Sequence, residues 1–130
     1  MKIENIKFKA KRLDDNSWVF GYFYEENGNT YIIENRQKES MLNRNVTYQV
    51  DPSTVCMFTG LTDCKGNEIL EHDLLQSQET KAIYEVVWNQ GNTSFSLVNT
   101  ECPVLYSNTL GGMLRNRRLK VVGNKFDKNK

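Results

Sequence analysis

Residues 58–75, "FTGLTDCKGNEILEHDLL", gather Asp63, Cys64, Glu68, Glu71, His72 and Asp73 into one short stretch, and His72 is the chain's only histidine. Such a set invites three chemistries. A zinc site draws three or four ligands from His, Cys and carboxylates. A thiol nucleophile needs an imidazole to activate it. A magnesium ion takes one or two carboxylates and keeps its waters. One histidine and three scattered cysteines, Cys56, Cys64 and Cys102, with no CxxC spacing, do not supply the first. Nothing in the spacing of Cys64 and His72 marks the second. Neighbours on an extended strand point to opposite faces, so of residues 71–73 only Glu71 and Asp73 could serve the third. Turns between strands are commonly acidic with no ion bound, and this is the favoured reading: no catalytic residue, metal or cofactor is expected. The chain has neither a GxxxxGK[ST] loop nor a GxGxxG turn, and "LGG" at 110–112 reads as a flexible loop rather than a phosphate cradle.

A second constellation is basic. Net charge is +1, yet Arg115, Arg117, Arg118, Lys120, Lys125, Lys128 and Lys130 face only Asp127 across residues 111–130. Lys7, Lys9 and Lys11 alternate with apolar residues near the start. Small β-folds bind single strands through basic grooves with aromatic platforms, so Lys7, Lys9, Lys11, Arg115, Arg117, Arg118 and Lys120 form a candidate nucleic-acid surface. The alternative, a solubilising basic terminus, is favoured over it. The large aromatics Trp18, Tyr22, Tyr84 and Trp88 are expected in the core.

The elements that would carry these residues are short strands. "NIKFKAKR" alternates with period two, and "SWVFGYFY" is a second strand in which Gly21 marks a bulge or a close backbone approach. "EENGN" carries the Asn-Gly hairpin signal ahead of "TYIIE". "NRQKESMLNR" reads as a loop before the strand "NVTYQVD". Pro52 after Asp51 predicts a turn or one helical turn. A second unit follows: "TVCMFTGL", a tight turn at "TDCKGN" where Asp63 accepts backbone N–H groups and Gly66 supplies positive φ, then "DLLQS", "KAIYEVVWN", "TSFSLVN" and "RLKVVGNKF". Tyr84, Val86 and Trp88 share the expected core face. Gly111-Gly112 argues against a long helix. The pattern predicts an all-β fold of short antiparallel strands, with an N-terminal unit at about 1–51, a C-terminal SH3-like barrel or roll at about 52–126, and a frayed tail at 127–130.

At 130 residues the chain has the length of one ordinary domain. The opening "MKIENIKFKA" has no apolar signal-peptide core, and no apolar run approaches the ~18 residues a membrane span requires. Together with the cysteine pattern this predicts a reduced, cytoplasmic protein without membrane contact. "NTYIIEN" and "TSFSLVN" lack lysine or proline guards, so either strand at a sheet margin predicts a homo-oligomer.

"WVFGYF", "VDPSTVCMFTGLTDCKGNEILEHDLL", "VVWN" and "LKVVGNKFD" stand in the order found in YopX-like proteins of bacteriophages and prophages, which this chain resembles from about residue 6 to residue 127. The most specific part is carried by Phe58, Thr59, Gly60, Leu61, Asp63, Gly66, Glu68, Ile69, Glu71, Asp73, Leu74 and Leu75. Relatives usually have glycine where this chain has His72, so the resemblance implies a turn with positive φ there. It also implies an all-β fold, a motif that builds turns, and a role in a mobile genetic element with no settled activity. The resulting expectation is a non-enzymatic binding or assembly module acting on a phage or host protein. The alternatives are a nucleic-acid-binding protein and, last, a metal-dependent enzyme using Glu71 and Asp73.

Overall fold

The computed structural model describes residues 2–34, 46–102 and 109–127. The expected loop at 35–44 and the frayed tail at 128–130 lie outside the described residues. Among the described residues every strand pairing is antiparallel, and the fold is mostly β with one short helix. The chain forms two compact units, residues 1–57 and 58–130. The division falls inside a strand rather than before Pro52 as the turn signals predict. The reason is that the Pro52 turn is tied backwards: Thr54 Oγ1 accepts the Lys11 amide at 2.9 Å.

In the first unit, β1 (Phe8–Lys11), β2 (Trp18–Glu26), β3 (Asn29–Glu34) and β4 (Val46–Val50) pair in sequence. The Asn27-Gly28 hairpin turn has φ of 54° and 83°, which an Asn-Gly pair adopts at little cost. Gly21 is a close approach, as expected: a Cβ there would stand 2.0 Å from the Ile33 carbonyl oxygen. The free edge of β1 is filled by several segments in turn. Lys9 pairs with Cys56 at the start of β5 (Cys56–Thr62), Asp51 N–H donates to Lys11 O at 2.9 Å, and Arg12 bridges to Val50. The strands thus curl round Ala10, Val19, Ile32 and Val50, with Phe8, Tyr48 and Val55 beside them.

The second unit holds β6 (Glu68–Leu70), β7 (Asp73–Ser77), β8 (Ile83–Asn89), β9 (Ser94–Asn99), a helix α1 (Leu110–Asn116) and β10 (Leu119–Asn124). Four strands run in the order β10-β7-β8-β9 and no barrel closes, so of the expected SH3-like barrel or roll the closed barrel is not formed and the sheet is open. The sheet's ends are different strands, β10 and β9, with no ladder between them among the described residues. Its core contains Ile69, Leu75, Tyr84, Val86, Leu97, Leu110, Met113 and Leu119. Burying one such side chain contributes about 1.5–3 kcal/mol. "LGG" opens α1 instead of a loop: Thr109 Oγ1 caps the Gly112 amide at 3.1 Å, and burial of Leu110 and Met113 holds the glycines in the helix. Seven residues make it a short helix, in keeping with the glycine pair.

Candidate functional site

The acidic motif sits at the turns of the second unit. Asp63 is almost fully buried and accepts from four donors: Oδ1 from the Lys65 and Asn67 amides at 2.9 and 2.8 Å, Oδ2 from Asn67 Nδ2 at 3.2 Å and the Val121 amide at 2.8 Å. Burial alone pushes its carboxyl up, but the bonds from Val121, Asn67 and Lys65 outweigh it and hold the group below the ordinary carboxylate value. The Cys64 amide donates to Leu119 O at 3.1 Å, so the same turn clasps β10. Gly66 supplies a φ of 86° and Gly60 one of 87°. Thr59 Oγ1 accepts the Leu61 amide at 3.2 Å and donates to Ile69 O at 2.7 Å. Phe58 and Ile69 are buried, whereas Leu61 and Glu68 are exposed.

Glu71 and His72 form the turn between β6 and β7, so the alternation of an extended strand does not apply to them. His72 has a φ of 70°, as the family's usual glycine implies. Its amide donates to Val86 O at 2.7 Å and its carbonyl accepts from the Lys125 amide at 2.8 Å. Its ring lies edge-on to Phe126, with Nδ1–H donating to Glu85 Oε2 at 2.8 Å and Nε2 standing 3.7 Å from Glu71 Oε2. Asp73 is turned inward. Its Oδ2 accepts the Leu70 amide and its Oδ1 accepts Asn124 Nδ2, both at 2.8 Å. Asn124 Oδ1 takes the Phe126 amide at 2.9 Å, and Asp127 Oδ2 takes the Asn124 amide at 2.9 Å. Lone pairs spent on fixed amides hold these turns. Among the described residues no group of three or more His, Cys, Asp or Glu is placed to hold a metal ion.

Sequence reasoning missed Asn124, Asp127 and Glu85 as partners of the motif. The first two stand inside "VVGNKFD", and Asn-x-x-Asp after a strand is a readable turn signal. Glu85 left none, because its link to His72 spans thirteen positions.

The basic candidates divide between the units. Arg115, Arg117, Arg118 and Lys120 are exposed on the second, Arg115 in the last turn of α1, where a cation complements the helix dipole. On the first, Lys7 precedes β1, and strand register puts Lys9 and Lys11 on one face with Trp18 and Phe20. Lys11 is only 6% exposed, its Nζ 4.7 Å from the Trp18 ring centre, so it is withdrawn from the surface. Lys9 Nζ lies 4.2 Å from the Trp18 ring and 5.9 Å from that of Phe20. Along β2 the same face continues with Tyr22 and Tyr24, the latter stacked on Tyr31 at 5.1 Å.

Here burial departs from the expectation. Tyr84 is core and Trp18 half-buried, but Phe20 is 56% exposed, Tyr22 42% and Trp88 45%. The cause in β2 is that both faces of the strand are apolar while only one packs on Ala10, Ile32 and Val50. Trp88 stands at the end of β8, edge-on to Phe95, with Nε1–H donating to Gln90 at 2.8 Å. The depression lined by Arg12, Leu13, Asp14, Thr47, Tyr48 and Gln49 offers less: its guanidinium already bonds Asp14 and lies 4.3 Å over Tyr48. Among the described residues no helix is long and apolar enough to cross a membrane.

None of the curated proteins matches the chain. A family model described as YopX protein matches residues 7–130. It spans the turn motif of the second unit and the aromatic strand of the first, so the chain belongs to the YopX family.

Proposed function

We propose that the chain is a non-enzymatic binding or assembly module of phage or prophage origin, working in the cytoplasm of a bacterial host on a phage or host partner. The observation that carries this reading is the β2 face of the first unit, where Phe20 and Tyr22 stand exposed beside Lys9. Exposed aromatics grouped on one face mark interaction surfaces more often than isolated ones do. The acidic motif supports the same reading from the other side. Asp63 and Asp73 spend their oxygens on the amides of their own turns, and a catalytic carboxylate needs a lone pair or proton facing a substrate.

Self-association belongs to the proposal. β3 lies between β2 and β4, so "NTYIIEN" is central and provides no margin. β9 remains: it pairs only with β8 among the described strands and carries no charge from Ser94 to Asn99. Pairing with a second copy of itself would satisfy such an edge.

The test compares the wild type with a Phe20→Ala/Tyr22→Ala variant, each cross-linked to its neighbours in prophage-induced cells. A partner that is recovered with the wild type and lost with the folded variant is expected. Equal recovery with both chains, together with an enzymatic activity abolished by Asp73→Asn, would sink the reading.

A further inference from the structure

We infer that the β2 face of the first unit is a platform for single-stranded nucleic acid, an inference that rests on the binding-module reading and names its ligand. Trp18, Phe20, Tyr22 and Tyr24 occupy alternate positions of one strand and so share one face, as the register Trp18 to Lys11, Phe20 to Lys9, Tyr22 to Ile33 and Tyr24 to Tyr31 requires. Same-face side chains on a strand repeat about every 6.6–6.8 Å, whereas stacked bases within one strand of a duplex repeat every ~3.4 Å. Rings at the wider spacing meet bases of an extended, unstacked strand and do not match those of a duplex.

Charge follows the rings. The Lys9 ammonium lies within reach of both Trp18 and Phe20, which places a cation at that end of the row. Among the described residues the cross-strand neighbours of this face from Trp18 to Tyr22 are Lys9, Lys11, Ile33 and Thr47, none of them a carboxylate; Glu26 stands beyond it, at the hairpin. Phe20 and Tyr22 are the most exposed rings of the row and would take the bases, with Lys9, on the Trp18 side of Phe20, serving the adjoining phosphate. Every base has a π face, so such a platform tolerates any sequence. A protein partner could bury the same rings, but exposed rings at the spacing of unstacked bases with a cation beside Phe20 favour the polynucleotide.

The experiment is fluorescence anisotropy with labelled dT20, rU20 and a 20-base-pair DNA duplex, at several salt concentrations. Binding of dT20 or rU20 in clear preference to the duplex is expected, and the better of the two identifies the sugar. Loss of Phe20 or of Tyr22 to alanine should weaken binding roughly 5- to 150-fold each. Tyr22→Phe, which keeps the ring, should restore it. Lys9→Gln should flatten the dependence of log affinity on log salt by about 0.7. Circular dichroism and the unfolding midpoint establish that the variants are folded.

The inference is overturned by failure of both single strands to bind, by equal affinity for the duplex, or by affinity that survives Phe20→Ala/Tyr22→Ala and is lost in Arg117→Gln/Arg118→Gln. Should the single strands fail while a cross-linked protein is still lost with the aromatic variant, the nucleic-acid assignment falls and the binding-module reading stands.

Discussion

Asp63 and His72 show how a suggestive residue set is bound into the turns of its own fold. Asp63 is ionised and bonded to three amides and an amide side chain, which stabilises its turn and β10 together. Its carboxyl is held below the ordinary value of 3.8, so the folded chain binds this proton less readily than the unfolded chain. The stability it contributes is complete above the ordinary value and is lost as pH falls through the lower, folded value. Denaturant titrations are expected to give a flat midpoint from neutral pH down to the ordinary carboxylate value and a fall below it. Asp63→Asn should cost about 2–3 kcal/mol near neutral pH, since an amide cannot accept on both sides, and should soften the acid fall. An unchanged acid limb in that variant would refute the assignment.

His72 makes the opposite prediction. Glycine would relieve a residue at φ 70° but forfeit the Glu85 bond and the Phe126 contact, so His72→Gly should change stability by less than about 1 kcal/mol. His72→Val, β-branched and without a ring nitrogen, should lose about 2 kcal/mol by the same titration.

Strands and turns meet their strictest test at Gly21 and Asn124. Any side chain at Gly21 must drive β2 from β3, because the obstacle is the Ile33 carbonyl and not a movable side chain. Gly21→Ala should destabilise by roughly 3 kcal/mol, with amide exchange quickening first along Tyr22 to Glu26 and Asn29 to Ile33. Wild-type exchange rates there would contradict the register. In the second unit Asn124 ties the end of β10 to Asp73 at the start of β7, beyond the register shift between Val121 and Gly123. Asn124→Ala leaves a buried carboxylate oxygen short of a donor and should cost about 1–3 kcal/mol, read from the denaturation midpoint.

For the chain as a unit of assembly, β9 decides the prediction. With β3 central, β9 is an uncharged margin strand open to pairing among the described residues, so light scattering is expected to give a mass above the single-chain 15.1 kDa as concentration rises. Ser96 is no place to probe it, since its side chain is already fully buried. Lysine at the half-buried Val98 adds a charge to the edge and should return the mass to one chain. A single-chain mass for the wild type throughout would exclude this interface.

The order of these elements was legible in the sequence because it is written in local chemistry. Period-two alternation marked β1 and β8, Asn27-Gly28 marked a hairpin by its positive φ, and Asp51 with Pro52 marked one helical turn whose Ser53 amide Asp51 accepts at 3.0 Å. The motif at 58–75 was legible as turns for the same reason: Asp63 and Gly66 act on backbone within a few positions, and His72 turns the chain through its own positive φ. Placement depends on pairs far apart in the chain, and only the tertiary structure decided it. Asp73 meets Asn124 across 51 positions, Asp63 meets the Val121 amide across 58, and β3 lies inside its sheet because residues 46–50 pair along it. The exposed ring face of β2 was hidden by its composition. A strand apolar on both sides announces burial twice, and packing on Ala10, Ile32 and Val50 satisfies one side, leaving Phe20 and Tyr22 to the solvent.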